Sequence, residues 1–219
     1  TIKYRKKIHG FYKNLYVVDV RQEHHFRQVF CVAEKLGFEG SDESEHISYG
    51  LLKLPEGAVS TRSGNVISIE KVITEAQNRA LKIIQQKNPD LENKEEVARA
   101  VGLGALKYFD LSHNRKSDIE FRWDEALSFE GNTGPYLQYT YARLRSILRK
   151  SKNLGPQHLN EFEGQISENE RWLLVRLSRF DEALEDALLD YMPNILVNYL
   201  YALAQKANHG ILPIPRARA

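Results

Sequence analysis

The sequence predicts a mostly helical protein in which a short α/β segment is followed by helices alone. Three observations carry this. The apolar run Leu15-Tyr16-Val17-Val18-Asp19-Val20 stands directly before a helix-period pattern, which is the first half of a βαβ unit. From about residue 70 onward apolar positions recur at helical spacing and strand patterns stop. Clusters of Gly, Pro and Asn then divide the helical stretch into pieces. A length of 219 residues is enough for one or two domains with an adequate core.

In chain order, the first eighteen residues carry Lys3, Arg5, Lys6, Lys7 and Lys13 without an acid and read as a helix-like basic run. The run 15–20 is a strand of the buried parallel kind, followed by a helix whose Phe26, Val29, Phe30, Ala33 and Leu36 share a face and which Gly37 closes. Residues 40–45 form an acidic loop, and 47–54 a second strand. A helix is expected over 70–86, a turn at Asn88-Pro89-Asp90, and a helix through about 107 opened by the capping pair Asn93 and Glu96. Residues 111–118 read as a polar connector and 121–129 as a short amphipathic piece. Gly131-Asn132-Thr133-Gly134-Pro135 is a hinge with Pro135 at the first helical position. The helix over 136–150 lines up Leu137, Thr140/Tyr141, Leu144 and Leu148. Ser167 and Glu170 cap a helix carrying Trp172, Leu173, Leu177, Phe180, Leu184 and Leu188, and Pro193 opens a last helix reaching about 207.

Composition narrows the function classes. Hydrophobic content of 42%, charged content of 27% and a net charge of +2 are ordinary for a soluble globular protein. The charge is unevenly spread, however. No acid occurs between Glu130 and Glu161, a window holding Arg143, Arg145, Arg149, Lys150 and Lys152. Such a segment fits either a phosphate-backbone footprint or a solvated helix face. The single cysteine, Cys31, excludes an intrachain disulfide and favours a reducing compartment; its apolar neighbours suggest a buried thiol. No run approaches the roughly 18 apolar residues of a membrane span, and no signal peptide is visible, so a cytoplasmic or organellar-matrix protein is expected. No metal site is expected from His9, His24, His25 and His46: the adjacent pair His24-His25 cannot face one site from a helix.

The stretch Val59-Ser60-Thr61-Arg62-Ser63-Gly64-Asn65 combines short hydroxyls, a guanidinium and a glycine between the second strand and the long helix. Backbone N–H groups and an Arg fork match phosphate oxygens, and Gly permits close approach; the same composition also fits an ordinary turn. In open α/β sheets ligands bind beyond the carboxyl ends of the strands, here residues 19–25.

Taken together, these segments resemble the arginyl-tRNA synthetases, class I aminoacyl-tRNA synthetases, over residues 4–205. Tyr16-Val17-Val18 through Gln22, His25 and Gln28 resembles the family's strand–helix segment at the arginine pocket. Ser60-Thr61-Arg62-Ser63-Gly64-Asn65 is similar to its signature loop of the KMSKS type. Phe129-Glu130-Gly131-Asn132-Thr133-Gly134-Pro135-Tyr136-Leu137-Gln138-Tyr139 resembles the opening of its helical anticodon-binding domain.

The resemblance implies the end of a Rossmann-like α/β catalytic domain over 1–66, a helical connection over 67–127, an all-α anticodon-binding bundle over 128–207 and an atypical tail over 208–219. It implies an arginine–tRNA ligase using ATP with Mg2+ as substrate, with no tightly bound cofactor, acting as a monomer on arginine and tRNA-Arg. Ser60, Thr61, Arg62 and Gly64 would close over the pyrophosphate; Gln22 and His25 would bind substrate, Gln22 contacting arginine. Tyr136 and Tyr139, three residues apart with Arg143 a turn further and Arg145 beyond, would stack on and neutralise unpaired tRNA.

The departures are specific. The loop has Val59 where Met is usual and Ser63 where Lys is frequent, leaving Arg62 as its one cation, and no HIGH-type motif occurs. The expectation is therefore the C-terminal half of such an enzyme, shortened at both ends and inactive alone. A non-catalytic RNA-binding or interaction protein derived from the family is the alternative.

Overall fold

The computed structural model describes residues 1–54, 57–58, 68–150 and 166–210. The loop carrying Ser60, Thr61, Arg62 and Gly64 lies outside the described residues, as do Lys152 and the tail beyond 210. The chain is mostly helical and divides into an α/β unit (Thr1–Val59 with His113–Glu120) and a helical unit (Ser60–Ser112 with Phe121–Ala219). Among the described residues no helix is long and apolar enough to cross a membrane.

In the α/β unit, helix α1 (Ile2–His9) precedes strand β1 (Asn14–Asp19). A single 3-10 turn (Val20–Gln22) then leads into α2 (Glu23–Lys35), and β2 (Ser44–Tyr49) returns parallel to β1 in the register Tyr16↔His46. This is the anticipated βαβ unit. Its core is aromatic: Phe26 lies 5.1 Å from Tyr16 and stacks at 4.6 Å on His46, and Phe30 lies 5.5 Å from Tyr16. β1 is not buried on both faces, because Tyr16 meets α2 while Val17 on the other face is 64% exposed. Cys31 is exposed, contrary to expectation. The inward stripe of α2 is Phe26, Phe30 and Ala33, and position 31 falls off it. Part of the basic N-terminal run is neutralised locally: Lys6 pairs with Glu43, and Lys13 lies 3.6 Å from Glu45.

The strand expected over 47–54 is two strands in separate sheets. β2 ends at Tyr49, and β3 (Leu52–Leu54) pairs antiparallel with β4 (Gly57–Ala58) and parallel with β5 (Ile119–Glu120), a strand that falls between the expected polar connector and the amphipathic piece and that no sequence pattern announces. The break lies at Gly50, whose N–H donates to the Arg115 carbonyl at 2.7 Å. A methyl group there would lie 2.2 Å from the Ser117 carbonyl oxygen.

The helical unit begins with α3 (Ile69–Lys87), capped by Ser68, and α4 (Lys94–Ser112), which runs five residues past its anticipated end. One turn, α5 (Trp123–Ala126), precedes α6 (Gly134–Lys150). The helix opened by the Ser167–Glu170 capping box ends at Ser178 as α7 (Glu168–Ser178); Arg179 separates it from α8 (Phe180–Leu189), so the single helix expected here is two. The last helix, α9 (Pro193–Gly210), packs against α4, α6, α7 and α8. Small residues allow the close packing of α3 on α4: Ala76, Ala80, Ala98 and Ala105 are buried, and a Cβ on Gly102 would fall 2.8 Å from the Ala76 backbone.

Candidate functional site

The parallel pair β1–β2 places Asp19 and Tyr49 side by side at the carboxyl ends of the strands, where open α/β sheets bind ligands. The Asp19 carboxylate takes three bonds from one residue. Oδ1 accepts from the Arg21 backbone N–H at 2.8 Å and from Nε at 2.9 Å, and Oδ2 accepts from Nη2 at 2.7 Å. This clamp closes the 3-10 turn, whose last residue, Gln22, is the N-cap of α2 and is exposed. His25 follows one turn later, its ring edge-on to Phe26 at 5.6 Å, and it borders a largely apolar cavity of about 590 Å³ with Ile2, Tyr16, Val29 and Phe38. Gln22 thus stands at the N-cap of α2 and His25 lies in its first turn, and of the two only His25 borders that cavity.

The side-chain hydrogen bond from Arg21 is the main reason the Asp19 carboxyl is held at about 2 rather than 3.8. Arg21 is raised in turn, first by that bond and also by the nearby charge of Asp118 and by Tyr49. Because the folded-state value is depressed, the clamp's contribution is present above the ordinary carboxylate value and is lost as pH falls through about 2. A carboxyl NMR titration of the folded chain should show Asp19 still ionised at pH 3; a midpoint near 3.8 would remove the clamp.

A second set of contacts straps residues 113–118 to the end of β2. The Arg115 guanidinium donates to the Ser48 carbonyl, the Leu51 N–H donates to Asp118 Oδ1 at 2.8 Å, and the Ile119 N–H donates to the Leu51 carbonyl at 2.8 Å. These bonds set where β3 leaves β2. The segment containing Ser60–Asn65 connects β4 to α3 in sequence.

In the helical unit the string 128–138 is a packing hub. Thr133 is buried; its hydroxyl donates to the Ser128 carbonyl at 2.6 Å and accepts from the Tyr136 N–H at 3.2 Å, capping α6. Gly134 rests on the Gly104 backbone, where a Cβ would lie 2.8 Å from the carbonyl oxygen. Pro135 is fully buried. Asn132 accepts from the Tyr108 hydroxyl at 2.6 Å and donates to Asn198 Oδ1 at 3.0 Å, linking α4 to α9. Burial, with a smaller effect of Tyr201, pushes Tyr108 up to about 12. Gln138 donates to the Ala100 carbonyl at 3.1 Å. The longest string carrying the family resemblance is therefore an architectural joint.

The two tyrosines meet different surroundings despite their spacing. The Tyr136 hydroxyl accepts from Asn208 Nδ2 at 3.1 Å and its ring meets Tyr201 at 5.6 Å, so it is tied to α9. Tyr139 is 51% exposed and borders an apolar groove of about 540 Å³ with Ile83, Leu91, Val97, Val101 and Phe129. Arg143 is half-buried and Arg145 exposed, and neither forms an ion pair with a described residue. Tyr136→Ala should therefore destabilise the unit by about 2–4 kcal/mol, and Tyr139→Ala by less than about 1 kcal/mol. Urea denaturation of each variant measures this; equal losses would contradict the assignment. Asp19 and Arg21 fall inside the expected ligand end at 19–25, but their pairing was not anticipated; Asp118 and the hub partners Tyr108, Asn198 and Asn208 were not singled out, since each acts through a neighbour brought in by folding. The Asp-x-Arg spacing at 19–21 is the one local signal that was available.

A parallel βαβ unit in one chain with a helical unit that opens on a capped hinge defines the class of architecture: an α/β segment followed in sequence by helices. Residues 1–123 match the family of class I tRNA synthetase (R) catalytic domains, and the chain belongs to that family. Residues 137–210 match the DALR anticodon binding domain. An arginine–tRNA ligase of Streptococcus uberis is 43% identical over 209 residues, covering 95% of this chain and 37% of the relative. One of Fusobacterium nucleatum is 42% identical over 214 residues with the same coverage. The chain thus spans a little over a third of the length of these curated relatives. The solved arginyl-tRNA synthetase of Thermus thermophilus superposes with a TM-score of 0.78 at 38% identity, covering 90% of this chain and 32% of that one. The Plasmodium falciparum enzyme, at 24% identity and a TM-score of 0.79, shares the fold.

Proposed function

We propose that the whole protein containing this chain is an arginine–tRNA ligase. The observation that carries the reading is the order of matches in one chain: a synthetase catalytic segment over 1–123, an anticodon-binding domain over 137–210, and 43% identity to such a ligase across 95% of the chain. In the first step the arginine carboxylate attacks the α-phosphorus of ATP, forming the arginyl-adenylate and releasing pyrophosphate. A ribose hydroxyl of the tRNA's terminal adenosine then attacks the arginyl carbonyl, and AMP leaves. Neither step needs a covalent enzyme intermediate, so the protein's contribution is orientation and charge stabilisation.

In this reading Gln22 hydrogen-bonds the arginine and His25 lies toward the bound substrates. Ser60, Thr61, Arg62 and Gly64 close on the departing pyrophosphate, with Arg62 as the charge partner. Mg2+ would enter with the ATP phosphates as part of the substrate. Tyr139, Arg143 and Arg145 meet the tRNA. Tyr136 contributes by holding α6 against α9, an arrangement supported by its bond to Asn208.

Arginine-dependent ATP–pyrophosphate exchange by the whole protein tests the first step, and tRNA binding by the 219-residue chain tests the second half. Tight discrimination between a tRNA with an arginine anticodon and one with that anticodon changed, surviving moderate salt, is expected. Equal and steeply salt-dependent binding, with no exchange activity, would favour a non-catalytic RNA-binding protein.

A further inference from the structure

The exposed Gln22 side chain makes no hydrogen bond to any described residue, so what the fold sets is the point and direction at which it leaves the backbone of the Val20–Gln22 turn. That turn has a lock. We infer that Asp19 is a positioning residue for the amino-acid pocket, aiming Gln22 by holding both the backbone N–H and the guanidinium of Arg21. The inference rests on Gln22 as a contact to substrate arginine.

The geometry differs from that of two helix-surface pairs among the described residues. Arg27–Glu23 and Arg79–Glu75 are helix-surface contacts four residues apart, each made through one carboxylate oxygen, at 2.9 and 2.7 Å. Contacts of that kind contribute little. Asp19 uses both oxygens on a residue two positions away and adds a backbone bond, closing the turn on itself. The Arg21 side chain is 71% exposed but covers its partner, leaving the Asp19 side chain only 14% exposed. The clamp sits at the carboxyl end of β1, and Asp118, fixed by the Leu51 N–H, acts on the same guanidinium from the strap beside β2. Both strand ends therefore bear on one turn. A further consequence follows from chemistry: Arg21 occupies both carboxylate oxygens, which leaves Asp19 a weaker competitor for the guanidinium of a free arginine.

The test is steady-state ATP–pyrophosphate exchange by the whole protein containing this chain, with arginine and ATP varied separately. Asp19→Asn keeps an acceptor for the Arg21 N–H and loses the charged clamp. It should raise KM for arginine about tenfold while kcat and KM for ATP stay within about twofold, since misplacing a substrate contact by ~1 Å costs up to about 100-fold. Arg21→Lys, which keeps the charge without the fork, should fall between wild type and Asp19→Asn. If Asp19→Asn loses its thermal transition, Arg21→Gln reads the same split with the backbone bond intact. No change, or equal changes in both KM values, would overturn the positioning role. A wild-type protein without arginine-dependent exchange would instead overturn the reading of the site, and this inference with it.

Discussion

Gly50→Ala is expected to destabilise the α/β unit by about 3 kcal/mol, at the upper end of overpacking costs. The added methyl would lie 2.2 Å from the Ser117 carbonyl oxygen, 2.4 Å from its carbon and 2.8 Å from the Asp118 nitrogen. All three are backbone atoms of a strap that is itself bonded to the end of β2, so no side chain can swing aside. Relief requires pushing residues 113–118 off the strand end, which breaks the Gly50 N–H bond to Arg115 and strains the Leu51 bond to Asp118. Gly104→Ala provides the contrast. Its Cβ would meet Gln138 Nε2 at 2.5 Å, the tip of a flexible side chain, and the main loss would be the Gln138 bond to Ala100, about 1 kcal/mol. Hydrogen exchange at the β1 and β2 amides, alongside chemical denaturation, separates the two cases. Protection of those strands unchanged in Gly50→Ala would mean that the strap moves freely.

Arg62→Ala should slow adenylate formation by about 10²–10³-fold in single-turnover measurements on the whole protein, the range seen when one group stabilising transition-state charge is removed. Arg62 is the only cation between Val59 and Asn65, so no neighbour within the loop replaces it. The charge it would meet develops on the departing pyrophosphate, so the effect belongs in the activation rate. tRNA affinity, carried by the helical unit in this reading, should change by less than about twofold. An unchanged activation rate would transfer the role to a cation elsewhere in the protein. A parallel loss of tRNA affinity would mean that the loop also contacts RNA.

Much of the fold was legible because local signals agreed with one another. The Ser167–Glu170 capping box, the helix start near Pro193 and the strand–helix succession after Leu15 are each written in neighbouring residues, and each appears where expected. The failures share a physical cause. The Gly50 break and strand β5 depend on pairing between segments nearly seventy residues apart, which no local window contains. Cys31 has apolar neighbours in sequence, but a helix turns successive residues to different sides, and its own side faces outward.

By itself the sequence determined the class of fold, the order of its elements, the family resemblance and the residue types available for phosphate, guanidinium and RNA chemistry. Those follow from periodicity, capping and strings of adjacent residues, all of which survive in a linear chain. Only the tertiary structure decided what each residue does within the fold. It separated Tyr136, bonded to Asn208 of α9, from Tyr139, bordering a groove, though three positions divide them. It showed that the hinge string is a joint between α4, α6 and α9, and that the end of β2 is held by a strap from far along the chain. Burial, close backbone approach and side-chain partnership are properties of pairs of segments, and pairs exist only once the chain has folded.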